Sequence, residues 1–180
     1  MEQGVLRAIG AADERSDCMS GESSIPVLFV CLGNICRSPL AKVILTEQAR
    51  ARGVLDRFVI DSCGTGPWHV GKGADGRSVE VARRHGLNLV HKARQLDPTS
   101  DFLKFEWLIA MDRQNREDLI AEGAPRERVH LMRAFDPALA GMPENRLDVP
   151  DPYYGEGDGF ERVYEMLTTA SAGLLDRLLS

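Results

Sequence analysis

Four short apolar runs, separated by stretches with helical spacing, set the pattern of this chain. Val27–Cys31 (VLFVC) is continuously apolar, as expected of a strand covered on both faces. After it, Leu40, Ala41, Ile44, Leu45 and Ala49 form a helical stripe. Ser38 is placed to cap that helix, Pro39 suits its first position, and Gly53 stops it. Arg57–Ser62 reads as a second strand, Cys63–Gly76 as a long glycine-rich loop, and Arg77–Gly86 as a helix ended by Gly86. Phe105–Asp112 is a third strand, Arg113–Gly123 a helix, and Arg128–Met132 a fourth strand. The connection Arg133–Gly159 is full of Pro, Gly and Asp, and its Asp136–Pro137, like Asp97–Pro98 earlier, reads as turn punctuation. A last helix from about Asp158 carries Phe160, Val163, Leu167, Ala170, Leu174 and Leu178 on one face.

Strands alternating with helices predict one α/β domain: a parallel sheet with helices on both faces and a ligand site at the carboxyl ends of the strands. Residues 1–25, rich in Gly, Ser, Asp, Glu and Ala, read as a flexible tail with a helical turn in Val5–Ala12, so the domain is expected over 26–180.

The balance of 22 basic against 27 acidic residues, a net −5, provides no global field for nucleic acid, so an anionic substrate needs a local positive site. No apolar run reaches the roughly 18 residues of a membrane span, and the N-terminus lacks the pattern of a secretory signal. Cys18, Cys31, Cys36 and Cys63 are too few for a disulfide scaffold, which favours a reducing, cytoplasmic setting. No second Cys or His pair completes a zinc set with Cys31 and Cys36, and His69, His85, His91 and His130 form no ligand motif, so neither metal nor cofactor is expected.

The chemistry concentrates in Phe29–Pro39, FVCLGNICRSP. A strand, a tight loop and a helix starting near Arg37 bring the amides of residues 32–37 toward one point, where the helix N-terminus adds positive potential. That is a cradle for a tetrahedral oxyanion. Gly33 lets the backbone turn and approach the anion. Arg37 offers a planar fork for two phosphate oxygens. Cys31 lies at the base of the cradle, where the same dipoles favour its thiolate and aim it at phosphorus. Ser38 has two available uses, a helix cap or a hydrogen bond to that thiolate. The plain alternative, a buried cysteine beside a surface arginine, does not account for the strand–loop–helix setting with Gly33 and Ser38.

VLFVCLGNICRSPLAKVIL resembles the signature of the low-molecular-weight protein tyrosine phosphatases. DPYY (Asp151–Tyr154) resembles the second motif of that family. Asp61–Ser62, Arg84–Gly86, His91–Gln95 and Met111–Asp112 match it in order, and the likeness spans about Val27 to Ser180. It implies a flavodoxin-like, four-stranded parallel sheet of order 2-1-3-4. It also implies hydrolysis of phosphotyrosine and small aryl phosphates, with Cys31 as nucleophile, Arg37 as phosphoryl clamp and Asp151 as general acid and then base. The residues alone do not separate Asp151 from Asp97, Asp136 or Asp148; the DPYY match does. The resemblance further implies a phosphate-binding loop from Leu32 to Ser38, with Asn34, Ser38, Ser62 and His91 as a hydrogen-bond network supporting it. Leu32, Ile35, Trp68, Tyr153 and Tyr154 become the cleft walls. Expected partners are phosphotyrosine proteins, a tyrosine kinase among the candidates, with phosphate-like oxyanions as inhibitors.

Cys36 has two readings, a small buried residue or a redox partner that forms a disulfide with Cys31. Cys63 and Cys18 carry no expected role. Two rivals stand beside the phosphatase. An arsenate reductase of the same fold needs relay cysteines, and none follows Cys63. A silent phosphate-binding module has no need of Cys31 together with Asp151.

Overall fold

The computed structural model describes residues 24–155 and 157–180. The tail expected for 1–25, with its helical turn and Cys18, lies outside them except at its end, where Ile25 already belongs to the first strand. Strands β1 (Ile25–Cys31), β2 (Phe58–Gly64), β3 (Trp107–Ala110) and β4 (Val129–Leu131) form one parallel sheet of order β2-β1-β3-β4. Helices α1 (Arg37–Ala51), α2 (Gly76–Arg84), α3 (Pro98–Lys104), α4 (Arg113–Ala121) and α5 (Gly159–Leu179) complete the fold. No helix among the described residues is long and apolar enough to cross a membrane.

β1 is central and loses all polarity because both of its faces are covered. Val27, Phe29 and Cys31 join Leu40, Ile44 and Leu45 of α1 and Val163, Leu167 and Leu174 of α5 in one core. Leu28 and Val30 turn the other way, toward Leu108, Leu119, Val129 and Phe105. Burying each such side chain contributes about 1.5–3 kcal/mol, well above the few tenths that helix propensity supplies per residue. Packing therefore fixes where the strand ends, and with it the height of Cys31.

β2 extends two residues past its expected end, because Cys63 and Gly64 stay paired with Val30 and Cys31. β3 and β4 are shorter than expected. The Phe105 amide closes α3 by donating to Asp101 O (2.8 Å) before β3 begins. The α3 helix replaces the expected turn at Asp97–Pro98: the Asp97 carboxylate caps Thr99 N (3.1 Å), and Pro98 occupies the first turn.

Candidate active site

Five residues, Leu32 to Cys36, make the whole turn between β1 and α1. So tight a reversal needs a left-handed residue, and Asn34 supplies it at φ +52°, alone among the described non-glycine residues. Its amide then points back at the Cys31 sulfur (3.2 Å). The first helical position is Arg37, two residues before the expected Pro39, so Cys36 and not Ser38 stands at the cap of α1. The buried Ser38 hydroxyl lies 3.0 Å from Cys31 Sγ instead.

The Asn34 side chain organises the underside of the loop. Its Nδ2 donates to Ser38 Oγ (2.9 Å) and Ser62 Oγ (3.0 Å), and its Oδ1 accepts from Arg94 N (2.9 Å). Asn34 O faces His91 Nε2 at 2.7 Å, which fixes the proton on that nitrogen because a carbonyl only accepts. Burial pushes the His91 imidazole below its ordinary value, which keeps it neutral. Asn34, Ser38, Ser62 and His91 thus form one connected network.

Behind it runs an ionic chain that composition did not reveal. Lys42 pairs with Asp61 (2.8 Å), Asp61 with Arg94 (2.9 Å), and Arg94 with the buried Asp101 of α3 (2.8 Å). The carboxyl of Asp61 is half-buried, which by itself raises its pKa, but the Lys42 ammonium and Arg94 outweigh that and hold it below the usual value.

Arg37 is 3% exposed. Its NH1 donates to Asp112 Oδ2 (2.6 Å) and Val149 O (2.9 Å), and its NH2 to Asp151 Oδ2 (3.1 Å). Burial weakens its charge, while the Cys31 sulfur, Asp151 and Asp112 together strengthen it more. Asp112 also caps α4 by accepting from Asn115 N (2.7 Å), so one carboxylate fixes both the helix and the guanidinium.

Cys31, Arg37 and Asp151 open into a cavity of about 250 Å³. Leu32, Ile35, Trp68, Tyr153 and Tyr154 all line it, and so does His69, to which the sequence assigned no ligand motif. The two loop faces meet closely. A Cβ on Gly33 would stand 2.9 Å from His69 Cδ2, and a Cβ on Gly66 would stand 1.7 Å from the Trp68 ring, so a side chain at either position would displace that ring. Trp68 is 64% exposed at the rim, whereas Ile35 is buried beneath it. Cys36, also in the lining, has its thiol pushed up to about 12, by burial first and then by Asp75, Cys31 and Asp151. Cys31, Cys36 and Cys63 are free thiols.

A cysteine sulfur with two hydrogen-bonding neighbours, a buried guanidinium beside it and a half-exposed carboxylate on that guanidinium is equipped for phosphoryl transfer. A Streptomyces coelicolor low molecular weight protein-tyrosine-phosphatase is 46% identical over 153 residues, covering 83% of this chain and 90% of that protein. The Sus scrofa low molecular weight phosphotyrosine protein phosphatase is 37% identical, covering 89% of this chain and 99% of its own. The crystal structure of a protein tyrosine phosphatase from Entamoeba histolytica, 34% identical, superposes with a TM-score of 0.79 over 86% of this chain and 97% of that one. The family profile described as low molecular weight phosphotyrosine protein phosphatase matches residues 26–180, and the chain belongs to that family.

Proposed function

We propose that the protein hydrolyses phosphotyrosine in polypeptides, and small aryl phosphates, through a cysteinyl-phosphate intermediate. The observation that carries this is the convergence of Cys31, Arg37 and Asp151 on one aromatic-walled cavity. The phosphoryl dianion takes the Arg37 NH2 that Asp151 occupies in the free protein, while NH1 stays on Asp112. Displaced from Arg37, Asp151 takes up a proton from solvent; the Cys31 thiolate attacks phosphorus, the bond from phosphorus to the tyrosyl oxygen breaks, and Asp151 gives that proton to the leaving phenolate. Water then attacks the thiophosphate with Asp151 as base, releasing phosphate and restoring the thiolate.

Asn34, Ser38, Ser62 and His91 hold the loop in shape for both steps. The walls stack on a phenyl ring, and their depth leaves the shorter phosphoserine stem out of reach of the sulfur. The catalytic domain is taken as 26–180. Free thiols fit a reducing, cytoplasmic setting, where a tyrosine kinase is one candidate substrate. Phosphate-like oxyanions inhibit by filling the same cradle.

The direct test is turnover of phosphotyrosine peptide, phosphoserine peptide and p-nitrophenyl phosphate, with arsenate reduction as a control. Release of phosphate from the first and last only is the expected result. Equal turnover of phosphoserine, or arsenate reduction, would overturn the assignment.

Cys36 carries a second expectation. Peroxide converts the Cys31 thiolate to a sulfenic acid, and the Cys36 thiol condenses with it to a disulfide, releasing water. At pH 7 a thiol near 12 is ionised on the order of one part in 10⁵, so closure is slow and quickens as pH rises. Activity recovered by thiol after peroxide is therefore expected to be greater at pH 8.5 than at pH 7, and to drop in Cys36→Ser. Equal recovery by that variant would remove the disulfide.

A further inference from the structure

Asp151 is held directly by Arg37, and a second tie reaches it through a residue that no part of the reaction uses. The Arg77 guanidinium, in the first turn of α2, is gripped at both ends. Its Nε and NH2 donate to the two oxygens of Asp75 (3.0 and 2.9 Å). Its NH1 donates to Tyr153 O (3.3 Å). Its flat face covers the Phe160 ring at 4.4 Å and the Tyr153 ring at 5.5 Å. Arg77 thereby touches the connection at Tyr153 and, through Phe160, the first turn of α5.

Both partners of Arg77 lead back to the reacting groups. Asp75 N donates to Ile35 O (2.8 Å), in the phosphate loop. Tyr153 N donates to Asp151 Oδ1 (3.0 Å), and Asp151 Oδ2 returns to Arg37 NH2 (3.1 Å). A closed circuit of hydrogen bonds therefore joins the phosphate loop to the proton donor by way of α2. We infer that Arg77, held by Asp75, is the positioning residue that sets the reach of the Asp151 carboxyl over the leaving oxygen. The inference rests on the phosphatase assignment above. Only an arginine makes the paired grip on Asp75, the bond to Tyr153 O and the ring contact together; a lysine has one nitrogen for all three.

A misplaced general acid slows only esters whose leaving group needs a proton, which separates this role from a structural one. The expected loss in Arg77→Ala is about tenfold in kcat/KM on phosphotyrosine peptide, since a small displacement of a catalytic group removes part of its 10²–10⁴-fold contribution. On 2,4-dinitrophenyl phosphate, whose phenolate leaves unaided, less than about twofold loss is expected. Asp151→Asn is the reference, with the same pattern at full size, and Arg77→Lys should fall with the alanine variant. Asp75→Asn, which frees Arg77, repeats the test if Arg77→Ala fails to fold. Equal losses on the two esters, no loss on either, or a rise in KM with kcat intact would each overturn the positioning role. Absence of turnover by the unaltered protein would overturn the phosphatase assignment instead.

Discussion

Replacing Cys31 with serine is expected to leave a folded protein that binds phosphate-like oxyanions and turns over no aryl phosphate. The substitution exchanges one small atom in a site that is 3% exposed, and both neighbours of the sulfur, Asn34 N at 3.2 Å and Ser38 Oγ at 3.0 Å, also suit an oxygen. Little stability is lost, and Arg37 keeps its three partners. What disappears is the sulfur nucleophile. A serine hydroxyl stays protonated at neutral pH, and no base among its contacts takes its proton. Turnover of p-nitrophenyl phosphate should fall at least ~10⁴-fold, in line with the loss of a nucleophile that forms a covalent intermediate. Calorimetric titration with orthovanadate or phosphate supplies the other half of the result. Residual turnover above that level would assign the attack to another group.

Arg37→Lys is expected to cost about 10³-fold in kcat/KM, the lower end of what an arginine contributes to a phosphoryl transition state. The charge survives, but a single ammonium cannot stay on Asp112 and also present two nitrogens to a phosphoryl group. Stability should fall as well, because Asp112 and Val149 O lose a partner at a site 75 and 112 residues away along the chain. Loss of a buried charged hydrogen bond of this kind costs about 1.5–3 kcal/mol. Kinetics on p-nitrophenyl phosphate and a thermal melt of the same preparation test both parts. A variant with unaltered kcat/KM would show that the guanidinium fork is dispensable.

The sequence made the centre of this molecule legible because its signals there are local. An unbroken apolar run, a five-residue turn and a helix are contiguous, so β1, the loop and α1 follow from neighbouring residues. Ser38 shows the limit of that reading. Both of its candidate uses respect local rules, and what decides between them is the left-handed Asn34, which starts the helix at Arg37 and turns the hydroxyl to the sulfur.

Contacts between distant segments left no such trace. Asp112 reads as the end of the third strand, whereas it caps α4 with one oxygen and holds Arg37 with the other. Asp101, which holds Arg94, belongs to a short helix whose start signal, Asp97 followed by Pro98, is also that of a turn. His69 lines the cavity next to Gly33, which lies in another loop. Asp151 was reached through its likeness to a family motif, since Asp97, Asp136 and Asp148 offer equal local credentials.

The carriers of the two reacting groups differ in one further respect. Cys31 ends a strand that has a neighbour on either side, among buried side chains. Asp151 is itself exposed, as are Pro150 and residues 153–155 beside it. Opening that segment disrupts few apolar contacts, whereas freeing β1 amounts to global unfolding. Warming or mild denaturant therefore silences the enzyme in two stages: proton delivery fails while the anion cradle is still intact, and amide protons of β1 exchange with solvent only when the whole molecule comes apart.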